Sequence, residues 1–419
     1  MSQTTSVPML ALPEQFNAAT AFLDRNIVEG RATKTAIYCE DKAYTYGEIA
    51  DTANRVGNGL LELGVEIEQR IALLLLDSSE FAATFFGSIK IGAIPVPLNT
   101  MLRPADYEYL LNDSRARVLI IHAALWQHIQ NIMPHLDYLH HVIIVGLRQS
   151  GAAETATQHD FEGWISKASS HLMAAATSKD DSAFWLYSSG STGFPKGCVH
   201  LQHDMTYCVE TFGKSVLSIR EDDIMFSASK LFFAFGLGNN LYYPFAIGAS
   251  ALYHPGRVLA EDIFKLINRY HPTLFFGAPT LYTSMLTIHE AEKRFDTSSL
   301  RLCVALSRSF TFPYLMALVA RRCYRRLSAI VSEKSVQGVR AAWFQATMLA
   351  LSMSRARRLR LARLEVCLCV VIAQQSATGI NMKRAKMYFR GSGLRQETST
   401  TRMLKAISGI VVAVTICSR

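Results

Sequence analysis

Ser188, Ser189, Gly190, Ser191, Thr192, Gly193 and Lys196 crowd into the string WLYSSGSTGFPKGCVH, which runs from Trp185 to His200. Four hydroxyls, backbone N–H groups released by glycine and one mobile ammonium make a cradle for a highly charged anion. Lys196 supplies a point charge suited to phosphoryl oxygens, so a polyphosphate is the ligand this loop fits. The order differs from the Walker-type loop, in which Lys follows Gly directly and precedes Ser or Thr. A solvated Gly/Ser linker is the plain alternative. The apolar run Ser182 to Tyr187 before the loop, and Pro195-Lys196-Gly197 after it, argue against a linker.

A second group is flat and apolar. Phe232, Phe233, Ala234 and Phe235 precede Gly236. Aromatic faces beside a small alanine can wall a slot for a planar acid. Ordinary core packing competes with that reading, most strongly at Phe232. Gly277-Ala278-Pro279-Thr280 is either a lining loop or a strand-to-helix turn with Thr280 as N-cap. His200 and His203 lack metal-ligand spacing and are expected to be structural, and no metal site in the protein is expected. The eight cysteines are scattered apart from Cys367 and Cys369. That fits reduced thiols of a cytoplasmic protein better than a disulfide frame or a zinc site. No apolar run reaches the roughly 18 residues that span a bilayer, and no basic-then-apolar leader opens the chain.

These groups need elements to hold them, and 419 residues allow two or three domains. Helices are expected over 16–26, 45–63, 79–91, 107–114, 203–216, from 239, 260–270 and 279–289. Strands are expected over 35–39, 70–76, 93–97, 118–122, 141–146, 223–227, 248–253, 273–276 and from 300. Residues 149–180 read as a polar surface connection, and 235–238 as a Gly-rich turn. Strands alternating with helices indicate an α/β fold with mostly parallel sheets.

The string from Trp185 to His200, KLFFAFGLGN (230–239), HPGR (254–257) and PTLFFGAPTLY (272–282) together resemble the adenylate-forming acyl- and aryl-CoA ligases. These are the AMP-binding enzymes, and the chain is most similar to their benzoate-CoA ligase type. The resemblance covers about residues 15–305, as a large adenylation domain left incomplete. It implies ATP with Mg²⁺, CoA and an aromatic carboxylic acid as substrates, joined through an acyl-adenylate. It implies that Ser188, Ser189, Gly190, Ser191, Thr192, Gly193 and Lys196 hold the ATP phosphates, with Lys196 and Thr192 catalytic. The aryl pocket would use Phe233, Ala234, Phe235, Gly236, Gly277 and Pro279. Members of this type commonly carry Tyr where Phe235 stands. Ligases for 4-hydroxybenzoate or fatty acids, and luciferase-like oxygenases, are the related alternatives. The aromatic run argues against a long-chain tunnel.

Beyond Ala305 the pattern changes. Residues 306–419 hold twenty Lys and Arg against three acids (Glu333, Glu365, Glu397), while the preceding residues hold 23 against 31. The family's adenine- and ribose-binding segments, its hinge Asp, its late Lys and its small C-terminal lid domain are missing from the printed residues. Shifted codons recover them. Reading the third base of each codon with the first two of the next, Lys405 to Cys417 allows Gly-Tyr-Phe-Trp-Tyr-Cys-Gly-Arg-Ser-Asp-Asp-Met. Arg390 to Thr400 allows Gly-Glu-Trp-x-x-Thr-Gly-Asp-Lys-Tyr, and Trp343 to Ser354 allows Val-Pro-Gly-Tyr-Asp-Val-Gly-Leu-Val-Asp-Glu. Three family segments in order and in one frame identify 306–419 as an out-of-frame basic tail. On that reading no specific nucleic-acid or membrane partner is expected, and the sheet edge after Ala305 is left open. The competing reading is a nucleotide-binding pseudoenzyme whose basic tail binds nucleic acid or an anionic membrane.

Overall fold

The computed structural model describes residues 10–147, 155, 157–188, 193–308 and 315–321. In chain order the first part gives α1 (Arg25–Val28), β1 (Thr35–Cys39), β2 (Lys42–Thr45), α2 (Tyr46–Glu62), β3 (Arg70–Leu74) and α3 (Ser79–Lys90). Next come β4 (Ile94–Pro97), α4 (Pro104–Ser114), β5 (Val118–His122), β6 (His141–Val145), β7 (Gln158–Asp160) and α5 (Phe161–Lys167). Then follow β8 (Ser182–Ser188), β9 (Lys196–Leu201), α6 (Asp204–Cys208), β10 (Ile224–Ser227), α7 (Ala234–Leu237), α8 (Tyr243–Ile247) and β11 (Ser250–Tyr253). The last are α9 (Ala260–Tyr270), β12 (Leu274–Gly277), α10 (Pro279–Leu286), α11 (Ala291–Arg294), β13 (Leu302–Arg308) and β14 (Leu315–Arg321).

Two compact units divide near Leu259. The first holds a five-stranded sheet in the order β4-β3-β5-β6-β7, parallel throughout. Apolar β3, β5 and β6 suit that role, since parallel strands are covered on both faces. Tyr107, Leu110 and Leu111 of α4 pack against Leu74, Val96, Leu119 and Ile144 of this sheet. The same unit carries β10, β11 and β1 in parallel, with β2 antiparallel to β1. Helix α2 starts on a capping box. The Glu48 carboxylate accepts from Thr45 N at 2.7 Å, and Glu48 N donates to Thr45 Oγ1 at 3.2 Å. Its buried stripe is Ile49, Ala53, Val56 and Leu60, as its sequence period predicts.

In the second unit β12 pairs parallel with β13, and β13 pairs antiparallel with β14. The expected open edge after Ala305 is therefore occupied, because an apolar β-prone run, LMALVAR, supplies a partner. Three further expectations are corrected. The connection over 149–180 contains β7, which extends the parallel sheet beside β6. It also contains α5, capped by Asp160 Oδ2 accepting from Gly163 N at 2.9 Å. The apolar anchors Phe161 and Trp164 are buried there despite the polar composition around them. Residues 235–238 are helical rather than a turn. At Gly236 an added Cβ would lie 2.0 Å from Lys230 O, so the glycine serves close backbone approach and not a positive φ. Finally, α10 takes Ala278 as its N-cap residue with no side-chain cap, and Pro279 occupies the first turn. The fixed φ of Pro suits that position, which places Thr280 inside the helix. Among the described residues no helix is long and apolar enough to cross a membrane.

Candidate active site

Strands β8 and β9 form an antiparallel hairpin whose last pair is Ser188 opposite Lys196. Both residues are exposed at the mouth. The register follows from the alternation in β8, where Phe184 and Leu186 are buried while Trp185 and Tyr187 are only partly so. Ser189, Gly190, Ser191 and Thr192, which include a residue expected to be catalytic, lie outside the described residues. Gly193 is exposed with φ +141°, and nothing lies within 4 Å of an added Cβ. Its need for glycine is therefore conformational. At Gly197 the reason is space, because a Cβ would meet the Trp185 ring at 3.2 Å.

The hairpin is fastened to α4. The ring of Phe194, itself 72% exposed, stacks on Tyr109 at 4.8 Å between centroids and 25° between planes. Tyr109 Oη donates to Pro195 O at 3.0 Å. Tyr187 Oη donates to Asp113 Oδ2 at 2.6 Å. Burial, reinforced by the Asp113 carboxylate, pushes the Tyr187 phenol far above its ordinary value, so it stays protonated and keeps donating. Tyr109 and Asp113 are spaced i,i+4, which places them on one face of the helix. Neither is legible in the sequence, since a Tyr and an Asp on a helix carry no signal until the hairpin lies beside them.

The other end of the hairpin is closed by histidines. His200 stacks on Phe184 at 4.5 Å and lies 3.5 Å from Asp204 Oδ2, which also accepts from Leu201 N at 3.0 Å. His203 lies 3.2 Å from Asp204 Oδ1 and 2.9 Å from Lys179 O. Burial alone would raise the Asp204 carboxyl, yet hydrogen bonds from His200, His203 and Leu201 N hold it well below the usual range. These contacts fit the structural part expected of both histidines. Among the described residues no cluster of His, Cys, Asp or Glu could hold a metal ion.

The aromatic run lies in the first unit. Phe232 is buried and Phe233 is 44% exposed, with ring centroids 4.5 Å apart. Ala234 and Phe235 are partly exposed, and Gly236 is buried under the carbonyls of Ser229 and Lys230. Core packing thus accounts for Phe232, whereas Phe233, Ala234 and Phe235 keep exposed surface. Asn239 Nδ2 donates to Phe235 O at 2.8 Å and Asn240 Nδ2 to Leu252 O at 2.9 Å, which ties the segment to β11. Gly277 closes β12 and Pro279 opens α10, both in the second unit. Asp77, which accepts from Leu231 N at 3.0 Å and lies 3.5 Å from Lys230 Nζ, was not singled out from the sequence. A lone acid after a buried strand is a weak signal.

The family of AMP-binding enzymes matches residues 24–333. A benzoate–CoA ligase of Thauera aromatica is 39% identical over 299 residues, which are 71% of this chain and 55% of that protein. Among solved structures, an anthranilate CoA ligase, AuaEII, in complex with anthranoyl-AMP superposes with a TM-score of 0.66 at 40% identity, over 70% of this chain and 55% of that one. A benzoate CoA ligase from Burkholderia xenovorans LB400 gives a TM-score of 0.61 at 37% identity, over 69% and 55%. The chain spans about half the length of the curated relatives it matches.

Proposed function

The chain belongs to the AMP-binding enzyme family, and from that premise we propose that it carries the adenylating part of an aryl-CoA ligase for benzoate or a close ring analogue. The carboxylate of the aromatic acid attacks the α-phosphorus of Mg-ATP, and the bond to pyrophosphate breaks. The CoA thiol then attacks the acyl carbon of the mixed anhydride, and AMP departs. Neither step asks for a protein nucleophile. Both ask for charge neutralisation and in-line placement of the reactants.

The observation that carries this reading is the β8–β9 mouth. There the exposed residues Ser188 and Lys196 form the last pair of the hairpin, at the two ends of a Gly- and Ser-rich stretch of sequence. Anchored on one side through Tyr109, that mouth suits a triphosphate. Phe233, Ala234 and Phe235 offer the ring a planar wall. Two relatives in which an aryl acid is the named substrate or bound adduct support the ring preference. Mg²⁺ is taken as part of the substrate Mg-ATP, and no step is routed through a protein-held ion.

The reading also takes 306–419 as translated out of frame, so that this segment does not supply the ribose and adenine contacts. The chain as printed is expected to form no benzoyl-CoA. Sequencing the DNA across the codons for Val304 to Ser309 tests the frame. An uninterrupted frame confirmed there, together with benzoyl-CoA formation by the printed chain, overturns it. Restoring the frame and finding benzoate-dependent thioester formation supports it.

A further inference from the structure

Lys230 stands at the entrance of the aromatic turn in an unusual setting. Its side chain is only 18% exposed. Nζ donates to His254 O, to Gly256 O at 2.7 Å and to Pro255 O at 3.4 Å, all in the loop that follows β11. Oδ2 of Asp77, a residue 2% exposed, lies 3.5 Å from the same nitrogen. The other oxygen of Asp77 accepts from Leu231 N at 3.0 Å. Three separate segments, the chain after β3, the start of the aromatic turn and the chain after β11, are thereby held at one point. The turn itself is tight, with Phe233 N donating to Lys230 O at 3.0 Å and Leu237 N to Phe233 O at 2.8 Å.

Stability is a poor reason for such a pair, because removing two charges from water offsets most of their attraction. Burial pushes the Asp77 carboxyl up to about 6 even though Lys230 and the Leu231 N–H oppose it. What the arrangement does supply is direction. The ammonium takes carbonyls on one side and the carboxylate on the other, so the backbone at Leu231 has one place to lie.

We propose that Lys230 and Asp77 are positioning residues that set the depth of the aryl slot by pinning the turn Leu231–Gly236. Phe233, Ala234 and Phe235 then meet a planar carboxylic acid at one fixed height, and a slack turn would admit it at several. The proposal rests on the aryl-ligase reading for its ligand but on the contacts above for the pinning.

The test uses the full chain with K230M and the double variant D77N/K230M, which leaves no orphaned charge. Binding of 4-fluorobenzoate is followed by ¹⁹F NMR, and amide exchange by mass spectrometry over residues 229–237. Both variants are expected to lose about tenfold or more in fluorobenzoate affinity and to exchange faster across that segment. A double variant that binds fluorobenzoate as the parent does overturns the proposal. If the parent binds no fluorobenzoate, the aryl-ligase reading fails, and exchange alone decides the pinning. Unchanged exchange over 229–237 contradicts it, and faster exchange upholds it.

Discussion

The β8–β9 hairpin and the aromatic turn lie in the same compact unit and are held by opposite means. The hairpin leans on α4 through a ring stack and two tyrosine hydroxyls, one donating to a carbonyl and one to the Asp113 carboxylate. The turn is pinned from below by a buried ion pair and a ring of carbonyls. Under the proposed function, a loop that admits and releases a large anion tolerates weak, one-sided anchoring, whereas a wall that gauges the thickness of a ring does not. The contrast teaches that two segments of one compact unit can be held by different means, each matched to the ligand proposed for it.

The comparison breaks most visibly at the buried pair. Lys230→Met leaves the Asp77 carboxylate without its partner and should cost about 3–5 kcal/mol of stability at pH 8. The loss should shrink on acidification as the acid becomes neutral, which urea unfolding across pH measures. Next comes Lys196→Ala in a protein with the reading frame restored. It should lower benzoate-dependent ATP–pyrophosphate exchange by about a hundredfold, since the ammonium meets charge that develops in the transition state, while its melting point stays unchanged. Asp77→Asn sharpens the contrast through pH. The folded pKa of Asp77 is raised by burial, so its contribution to stability is present below about 4 and lost as pH rises through about 6. Asn removes that dependence. The parent-minus-variant difference in unfolding free energy should therefore fall by about 1–3 kcal/mol between pH 4 and pH 7. Tyr109→Ala should be milder, weakening Mg-ATP about tenfold through the lost stack and hydrogen bond. Tyr109→Phe, which keeps the stack, should lose about threefold or less, as titration calorimetry would show.

Much of this was legible before any coordinates. The strand before the 188–196 loop was legible as an apolar run and forms β8, and α2 was legible from its apolar period, although its capping box was not read from the sequence. The errors have physical reasons. Gly236 and Gly238 read as a turn, yet at Gly236 the absent side chain makes room for neighbouring carbonyls. Residues 158–167 were taken for connection because two buried aromatics are outvoted by polar neighbours. Tyr109, Asp113 and Asp77 escaped notice because each acts on a segment distant in sequence, and Lys230 was quoted only as the start of a string. A pairing across 154 residues, as between Asp77 and Leu231, leaves no local pattern to read.

The frame change proposed after Ala305 bears on activity, and one assay meets the central claim most directly. Benzoate-dependent exchange of pyrophosphate into ATP is measured on the frame-restored protein and on the chain as printed. The restored protein is expected to exchange with benzoate and the printed chain to be silent. No exchange by the restored protein with any carboxylic acid, Lys196 intact, would contradict the account.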